Sequence, residues 1–195
     1  LPVILCGHSF GAWLAYLFAA RYPSMVKKLI LVSSGPFEDR YANDVVKTRV
    51  RRLSPDKQRS LADLQQAITT ATGAEQDRLF SRIGQLLFTV DSYNPFPYEE
   101  ISVEYRYQTF KCVWSEADTL RRTGGLLREG RRIRCPVTAI HGDYDPHPAE
   151  GVQKPLSKIL SDFHFTLLGH CGHYPWLERQ AAHGFYQHLI EITGK

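Results

Sequence analysis

The chain has 195 residues, a length typical of one domain or of a core with a large insertion, and 43% hydrophobic residues suffice for a sizeable core. No apolar run approaches the roughly 18 residues that a membrane span needs, so we expect no transmembrane segment. The net charge of +4, from 24 basic and 20 acidic residues, is too small to indicate nucleic-acid binding. The four cysteines lack zinc-type spacing, and we expect reduced thiols in a cytoplasmic protein.

The first 35 residues predict a strand, a helix and a second strand. Residues 2–5 and 28–32 are short apolar runs typical of buried strands. Residues 10–21 have helical apolar spacing and end just before a Tyr-Pro pair. A strand, a helix and a strand in this order form a βαβ unit, so we expect a parallel sheet.

The remainder of the chain divides into a helical segment and a second α/β segment. Residues 36–134 are rich in charge, have little strand pattern, and predict helices at 57–70, 74–89, 102–112 and 115–128. Strands are expected at 136–141 and 162–168, and helices at 151–161 and 176–192. The sequence therefore predicts an α/β core of residues 1–35 and 135–195, interrupted by a helical cap of residues 36–134.

The stretch CGHSFGAW, which joins the first strand to its helix, places a serine between two glycines. A serine on such a tight turn is held in a strained conformation, with its neighbours two residues away pressed against adjacent backbone. Gly7 and Gly11 lack a Cβ, which permits that approach. Ser9 is then expected at the carboxyl end of the sheet, where doubly wound folds place ligands.

The loops after the last two predicted strands supply partners for Ser9. A serine hydroxyl is a poor nucleophile until a base takes its proton, so the turn requires a histidine and an acid that orients it. The loop HGDYDPHP offers Asp143 and Asp145, and the loop GHCGHYPWLE offers His170 and His173. The order serine, acid, histidine is that of α/β-hydrolases.

Three motifs together resemble those of the α/β-hydrolase fold family. Residues 7–11 match its G-H-S-x-G nucleophile turn, residues 142–145 its G-x-x-D acid turn, and residues 172–178 its G-H-x(4)-E pattern. The resemblance implies the C-terminal two-thirds of this fold: a partial parallel sheet flanked by helices, with an inserted helical cap. The cap matches no particular subfamily.

The resemblance also assigns roles to the candidate residues. Ser9 is the nucleophile, His173 rather than His170 is the base, and Asp145, at the fourth position of its turn, is the acid. The backbone N–H of Phe10 contributes to the oxyanion hole. In the family, a loop among four earlier strands supplies the other oxyanion N–H, and those strands have no counterpart here.

The implied activity is that of a serine hydrolase that cleaves a small ester, amide or thioester, with neither a metal nor an organic cofactor. Its expected partner is a small-molecule acyl substrate, not nucleic acid or a membrane. A proline-iminopeptidase-like peptidase or a C–C bond hydrolase stays open, because one triad serves several chemistries on this fold. Glu99, Glu100 and Glu104 are similar in composition to the cap carboxylates by which such peptidases hold an amino terminus. A non-catalytic binding module is the alternative from another class.

Metal catalysis is a rival interpretation of the same two loops. Residue types that bind divalent metals recur there, namely His141, Asp143, Asp145, His147, His170 and His173. Alternating residues would share one face only if the strand continued through Pro146, which proline disfavours. We therefore expect no metal site, with His141 packed at the strand end and His147 exposed.

Basic residues cluster at 47–52 and 121–134, within the predicted cap. A solvated helix face is the simpler interpretation of these clusters. Guidance of a carboxylate-bearing substrate is the alternative, because arginine pairs with carboxylates through two hydrogen bonds. The aromatic residues between positions 93 and 114 either line an acyl pocket or form the core of the cap.

The resemblance places the nucleophile strand in the middle of the family's sheet, whereas here it would form an edge. We expect this edge either to pair with a second copy in a symmetric homodimer or to be completed by a segment that precedes residue 1. The helix over 10–21 would then expose Trp13, Leu14 or Phe18.

Overall fold

The computed structural model of the protein describes residues 1–97 and 105–194. Its four strands are β1 (Val3–His8), β2 (Val26–Val32), β3 (Val137–Gly142) and β4 (Phe163–Leu168). The helices of the described ranges are α1 (Phe10–Arg21), α2 (Ala42–Arg52), α3 (Pro55–Thr70), α4 (Gly73–Asp91), α5 (Tyr107–Arg122), α6 (Gly125–Gly130), α7 (Glu150–Ile159) and α8 (Ala182–Thr193). Short 3₁₀ turns lie at Pro23–Met25, Asp39–Tyr41 and Pro175–Leu177.

The strands form one parallel sheet in the order β1-β2-β3-β4, which confirms the expected α/β fold. Successive side chains of β2 enter different cores: Leu29 and Leu31 pack with α1, α6 and α7, and Ile30 and Val32 pack with α8. Helices therefore cover both faces of the sheet, as an all-parallel sheet requires. The carboxyl ends of β1, β3 and β4 lead into the three loops that carry the candidate site.

Helix boundaries differ from the sequence prediction in three places. The helix α2 was not predicted, because its few apolar residues give a weak helical pattern. A single helix, α5, runs through the break expected at residues 113–114 and ends before the left-handed Gly124 (φ 68°), so the helix expected over 115–128 is divided between α5 and α6. The last helix begins at Ala182 rather than at residue 176, after a 3₁₀ turn and a tight bend.

The helix α5 covers part of α1 next to the nucleophile turn. Trp13 stacks on Trp114 of α5 with ring centroids 5.8 Å apart, and its Nε1–H donates to the carbonyl of Gly35 over 3.1 Å. Trp13 is therefore only 2% exposed, so the exposure expected for this helix does not fall on Trp13. Leu14 and Phe18, which α5 does not cover, are exposed as expected.

The strand β1 forms one edge of the described sheet, and its residues Val3 and Ile4 are exposed. Pairing of this edge with a second copy stays a prediction.

None of the helices within the described ranges combines the length and the apolar surface that a bilayer crossing requires. The division into core and cap also stays a prediction, although residues 42–130 are mainly helical where they are described.

A buried carboxylate joins the end of α4 to the loop that follows β4. Glu178, with no exposed surface, accepts hydrogen bonds from the backbone N–H groups of Tyr93, Asn94 and Gly172 at 2.7–3.0 Å. The N–H of Phe96 donates a further hydrogen bond to this loop, over 2.7 Å to the carbonyl of Leu177. Because the same loop carries His173, Glu178 fixes the position of the candidate base relative to the helical segment.

We predict that Glu178→Gln destabilises the fold. The amide keeps one acceptor oxygen but turns an N–H group toward Asn94, which leaves a buried donor unpaired at a cost of about 1–3 kcal/mol. Chemical denaturation should show this loss and a larger one for Glu178→Ala. The exposed Glu191→Gln is the matched control and should change the unfolding free energy little. Equal stability of Glu178→Gln and wild type would contradict this role.

Candidate active site

The serine turn has the strained backbone that its sequence predicts. Ser9 has φ 54° and ψ −121°, and its N–H donates to the carbonyl of Val32 over 3.0 Å. A Cβ on Gly7 would lie 2.2 Å from the carbonyl oxygen of Gly11, so Gly7 must be a glycine. A Cβ on Gly11 would meet nothing within 4 Å in the described ranges, so the expectation of a collision at this second glycine was wrong.

The three residues singled out by the motifs lie in one hydrogen-bonded chain. His173 Nε2 is 3.0 Å from Ser9 Oγ, and His173 Nδ1 is 2.8 Å from Asp145 Oδ2. With Nδ1–H donated to the carboxylate, Nε2 is left as an acceptor for the serine hydroxyl. Phe10 is the first residue of α1, where backbone N–H groups have no partner inside the helix.

The two rejected candidates in these loops have other contacts. The carboxylate of Asp143 accepts a hydrogen bond from the N–H of Cys171 over 3.1 Å and thus ties the two loops together. The His170 ring lies 3.1 Å from the hydroxyl of Tyr93, and His170 has a positive φ of 53°. Neither residue contacts Ser9 among the interactions of the described ranges.

The carboxylate of Asp145 is completely buried and surrounded by histidines. Besides His173, it accepts bonds from the backbone N–H and the Nδ1–H of His147, and His141 Nε2 lies 3.6 Å away. Burial acts to raise the pKa of Asp145, but the charges of His173, His147 and His141 prevail and hold this pKa well below its ordinary value. His141 is buried as expected, whereas the expectation that His147 is exposed was wrong, because its bonds to Asp145 draw it inward.

The residues Asp145, His147 and His173 include the donor types of a divalent-metal site. One nitrogen or oxygen of each lies within 4.8 Å of the others. Both histidines, however, place Nδ1 2.8 Å from Asp145, so each Nδ1–H occupies a carboxylate lone pair. A cation would have to displace both protons and separate His173 from the acid that orients it.

The histidine of the serine turn, His8, contacts the candidate base from the other side. Its Nε2–H donates to the backbone carbonyl of His173 over 2.8 Å, and its ring packs against those of His173 and Trp176 at 4.8 and 4.7 Å. Burial and, after it, the positive charge of His173 lower the pKa of His8 to about 4. Sequence reasoning missed this role, since the histidine was interpreted only as part of a motif.

The backbone of His173 is also fixed from the helical segment. Its N–H donates to the carbonyl of Asp91, the last residue of α4, over 2.8 Å. The Asp91 carboxylate in turn receives two bonds from Arg49 of α2, at 2.8 and 2.6 Å. No sequence signal marks this pair, because the two residues lie 42 positions apart in separate helices.

A cavity of about 550 Å³ opens beside Ser9, between the carboxyl ends of the strands and the helical segment. Its walls are mainly apolar and aromatic, and they include Phe80, Ile83, Leu87, Phe88, Phe110 and Trp114. Arg49 and Arg121, one from each basic cluster, also reach it, but they pair with Asp91 and Asp118. The cavity can therefore accept an apolar group next to the serine hydroxyl. Glu99, Glu100 and Glu104, which were compared with peptidase carboxylates, lie outside the described residues.

The partly buried His8, with its lowered pKa, predicts acid sensitivity of the fold. Its folded-state pKa of about 4 lies below the unfolded value of 6.5, so protons bind the unfolded state preferentially as the pH falls from about 6.5 toward 4. At pH 5 this linkage costs about 2 kcal/mol relative to neutral pH. Unfolding free energies at pH 7.5 and 5 should therefore differ less for His8→Gln than for wild type. An equal pH dependence of the two proteins would contradict a His8 that the fold keeps neutral.

Solved structures with the same fold include hydrolases, all at low identity. VinJ superposes with a TM-score of 0.66 at 19% identity over 99% of this chain and 66% of its own. A putative lipase from Acinetobacter baumannii gives 0.57 at 19% identity, covering 99% and 62%. The Paleococcus ferrophilus monoacylglycerol lipase gives 0.58 at 13% identity, covering 100% and 69%. The chain thus spans less than two thirds of the length of VinJ and of the putative lipase.

The curated proteins searched contain no match to this sequence. A family model described as the alpha/beta hydrolase fold, in contrast, matches residues 2–180, which is most of the chain and includes all three loops of the candidate site. The sheet order, the helices on both faces and the strained serine turn agree with that match. The protein belongs to the α/β-hydrolase fold family.

Proposed function

We propose that the protein is a serine hydrolase that cleaves a small ester, amide or thioester through an acyl-enzyme. The observation that carries this proposal is the hydrogen-bonded chain from Ser9 Oγ through His173 to Asp145, which begins at the wall of the apolar cavity. A nucleophile, a base within hydrogen-bonding distance and a third group that orients the base are the parts that acyl transfer needs.

The acylation step follows from these positions. Ser9 Oγ attacks the carbonyl carbon while its proton passes to His173 Nε2, and Asp145 stabilises the imidazolium that forms. The negative charge develops on the carbonyl oxygen, where the N–H of Phe10 and the N-terminus of α1 favour it. The bond to the leaving group then breaks, and His173 returns the proton to that group. The acyl group remains on Ser9 as an ester.

The deacylation step repeats the sequence with water. His173 Nε2 removes a proton from a water molecule, whose oxygen attacks the acyl-serine ester, and the proton then passes to Ser9 Oγ as the acid is released. The carboxylic acid product and the free serine complete the cycle. The strained backbone of Ser9 supports both steps, because it holds Oγ beside His173 at the carboxyl end of the sheet.

The composition of the cavity favours an apolar acyl or alkyl group. About 550 Å³ with aromatic and aliphatic walls fits a small ligand, and the exclusion of water strengthens the electrostatic interactions at Ser9. Two of the structurally similar proteins are named as lipases, which agrees in class with an ester substrate. The alternatives of a peptidase and a C–C bond hydrolase have no specific support in the described residues.

We predict that Ser9, His173 and Asp145 act as one unit. Ser9→Ala and His173→Ala should each reduce kcat/KM for a p-nitrophenyl ester by several orders of magnitude, and Asp145→Asn by about 10⁴. The double variant Ser9→Ala/His173→Ala should be no slower than either single variant, because the first loss already removes nucleophilic catalysis.

The matched controls are Ser157→Ala and His188→Ala, both on exposed helix surfaces. They should keep the wild-type rate. A greater loss in Asp143→Asn than in Asp145→Asn would show that the acid has been misassigned. Additive losses in the double variant would contradict action as a unit.

A further inference from the structure

The second histidine of the acid loop lies in the candidate site although the proposed mechanism does not use it. His147 is 9% exposed, and its backbone N–H and Nδ1 lie 2.9 and 2.8 Å from the same oxygen of Asp145. Its ring is tilted against that of His173 with centroids 4.7 Å apart. Its carbonyl accepts a hydrogen bond from His141 Nε2 over 2.8 Å. The position and the tilt of the His147 ring are therefore fixed.

These contacts determine which nitrogen of His147 carries a proton. Nδ1 faces a carboxylate that has no proton to give, so Nδ1 is the donor and Nε2 is the acceptor. Burial lowers the pKa of His147 more than Asp145 raises it, which favours this neutral form. Among the hydrogen bonds of residues 1–97 and 105–194, none involves Nε2.

Apart from Ser9, the side chains that line a small recess beside His147 are aromatic. His147 lines the main cavity, and it also lines a small recess whose other walls are Ser9, Phe10, Trp13, Gly35 and Trp114. In this recess the Nε1–H of Trp13 is already donated to the backbone carbonyl of Gly35, over 3.1 Å. A ligand that fills the cavity removes Nε2 from water, and an acceptor buried in this way without a partner is costly, so a ligand that brings a donor to Nε2 gains relative to one that does not.

We propose that His147 is a specificity-determining residue, whose Nε2 accepts a hydrogen bond from a hydroxyl or amino group that the substrate carries close to its scissile carbonyl. The inference rests on the proposed function and names a substrate class for it: short acyl esters with a donor on the carbon beside the carbonyl, such as 2-hydroxyacyl esters. The donor sits in the recess, and the apolar remainder of the substrate occupies the aromatic part of the cavity.

A purely structural role for His147 has different consequences. If the ring only supports Asp145, its replacement slows all esters by the same factor. If Nε2 contacts the substrate, the loss falls mainly on esters that carry the donor. His147→Asn separates the two roles, because the shorter amide can still direct an N–H toward Asp145 but has no atom at the position of Nε2.

The test compares ethyl 2-hydroxybutanoate with ethyl butanoate as substrates of the purified protein. The ratio of their kcat/KM values should favour the hydroxy ester in wild type, and it should fall by about 5- to 100-fold in His147→Asn, the range expected when a buried hydrogen bond is lost. Comparison between variants cancels the different intrinsic reactivities of the two esters. His164→Asn, an exposed histidine on β4, is the matched control and should keep the wild-type ratio.

A binding measurement tests the inference independently of turnover. Calorimetry with Ser9→Ala should show tighter binding of the hydroxy ester, and the preference should vanish in Ser9→Ala/His147→Asn. If wild type hydrolyses neither ester while this binding preference persists, the result contradicts the proposed hydrolase function but supports the hydrogen-bonding role of His147. An unchanged kcat/KM ratio in His147→Asn, or equal binding of both esters to Ser9→Ala, would overturn the inference.

Discussion

The buried carboxylate of Asp145 is the interaction on which the rest of the site depends. A fully buried charge is stable only when it is compensated, and here His173, His147 and a backbone N–H provide the compensation at 2.8–2.9 Å. The same bonds orient the imidazole of His173 toward Ser9. The same hydrogen bonds thus stabilise the acid loop and align the candidate base.

The topology of the sheet makes this arrangement available. The carboxyl ends of parallel strands lie at one edge, so the loops after β1, β3 and β4 converge although they are distant in sequence. The helical segment then fixes the His173 loop at two further points, through the carbonyl of Asp91 and the carboxylate of Glu178. The candidate base is therefore held both by the core and by the helices that form the cavity.

Much of the fold and the residues of the candidate site follow from the sequence, because a strand, a glycine-flanked serine and a helix carry a local signal. Contacts that form only in the folded chain carry no such signal. The burial of His147 depends on its hydrogen bond to the carboxylate of Asp145, two residues earlier, which forms only in the folded conformation of the loop. Trp13 is covered by α5, a helix that follows it by about 100 positions. The unpredicted helix α2 has few apolar residues, yet Arg49 places it against the site.

The central claim, that Ser9 is an activated nucleophile, is tested most directly by covalent labelling with a fluorophosphonate followed by peptide mapping. Activation by His173 predicts a single phosphonylated serine, Ser9, in wild type and no labelling in His173→Ala. Ser33 and Ser34, buried at the end of β2 nearby, should stay unmodified. Labelling of another residue, or no labelling of the native protein, would contradict an activated Ser9. Either result would favour a non-catalytic binding module with the hydrolase fold.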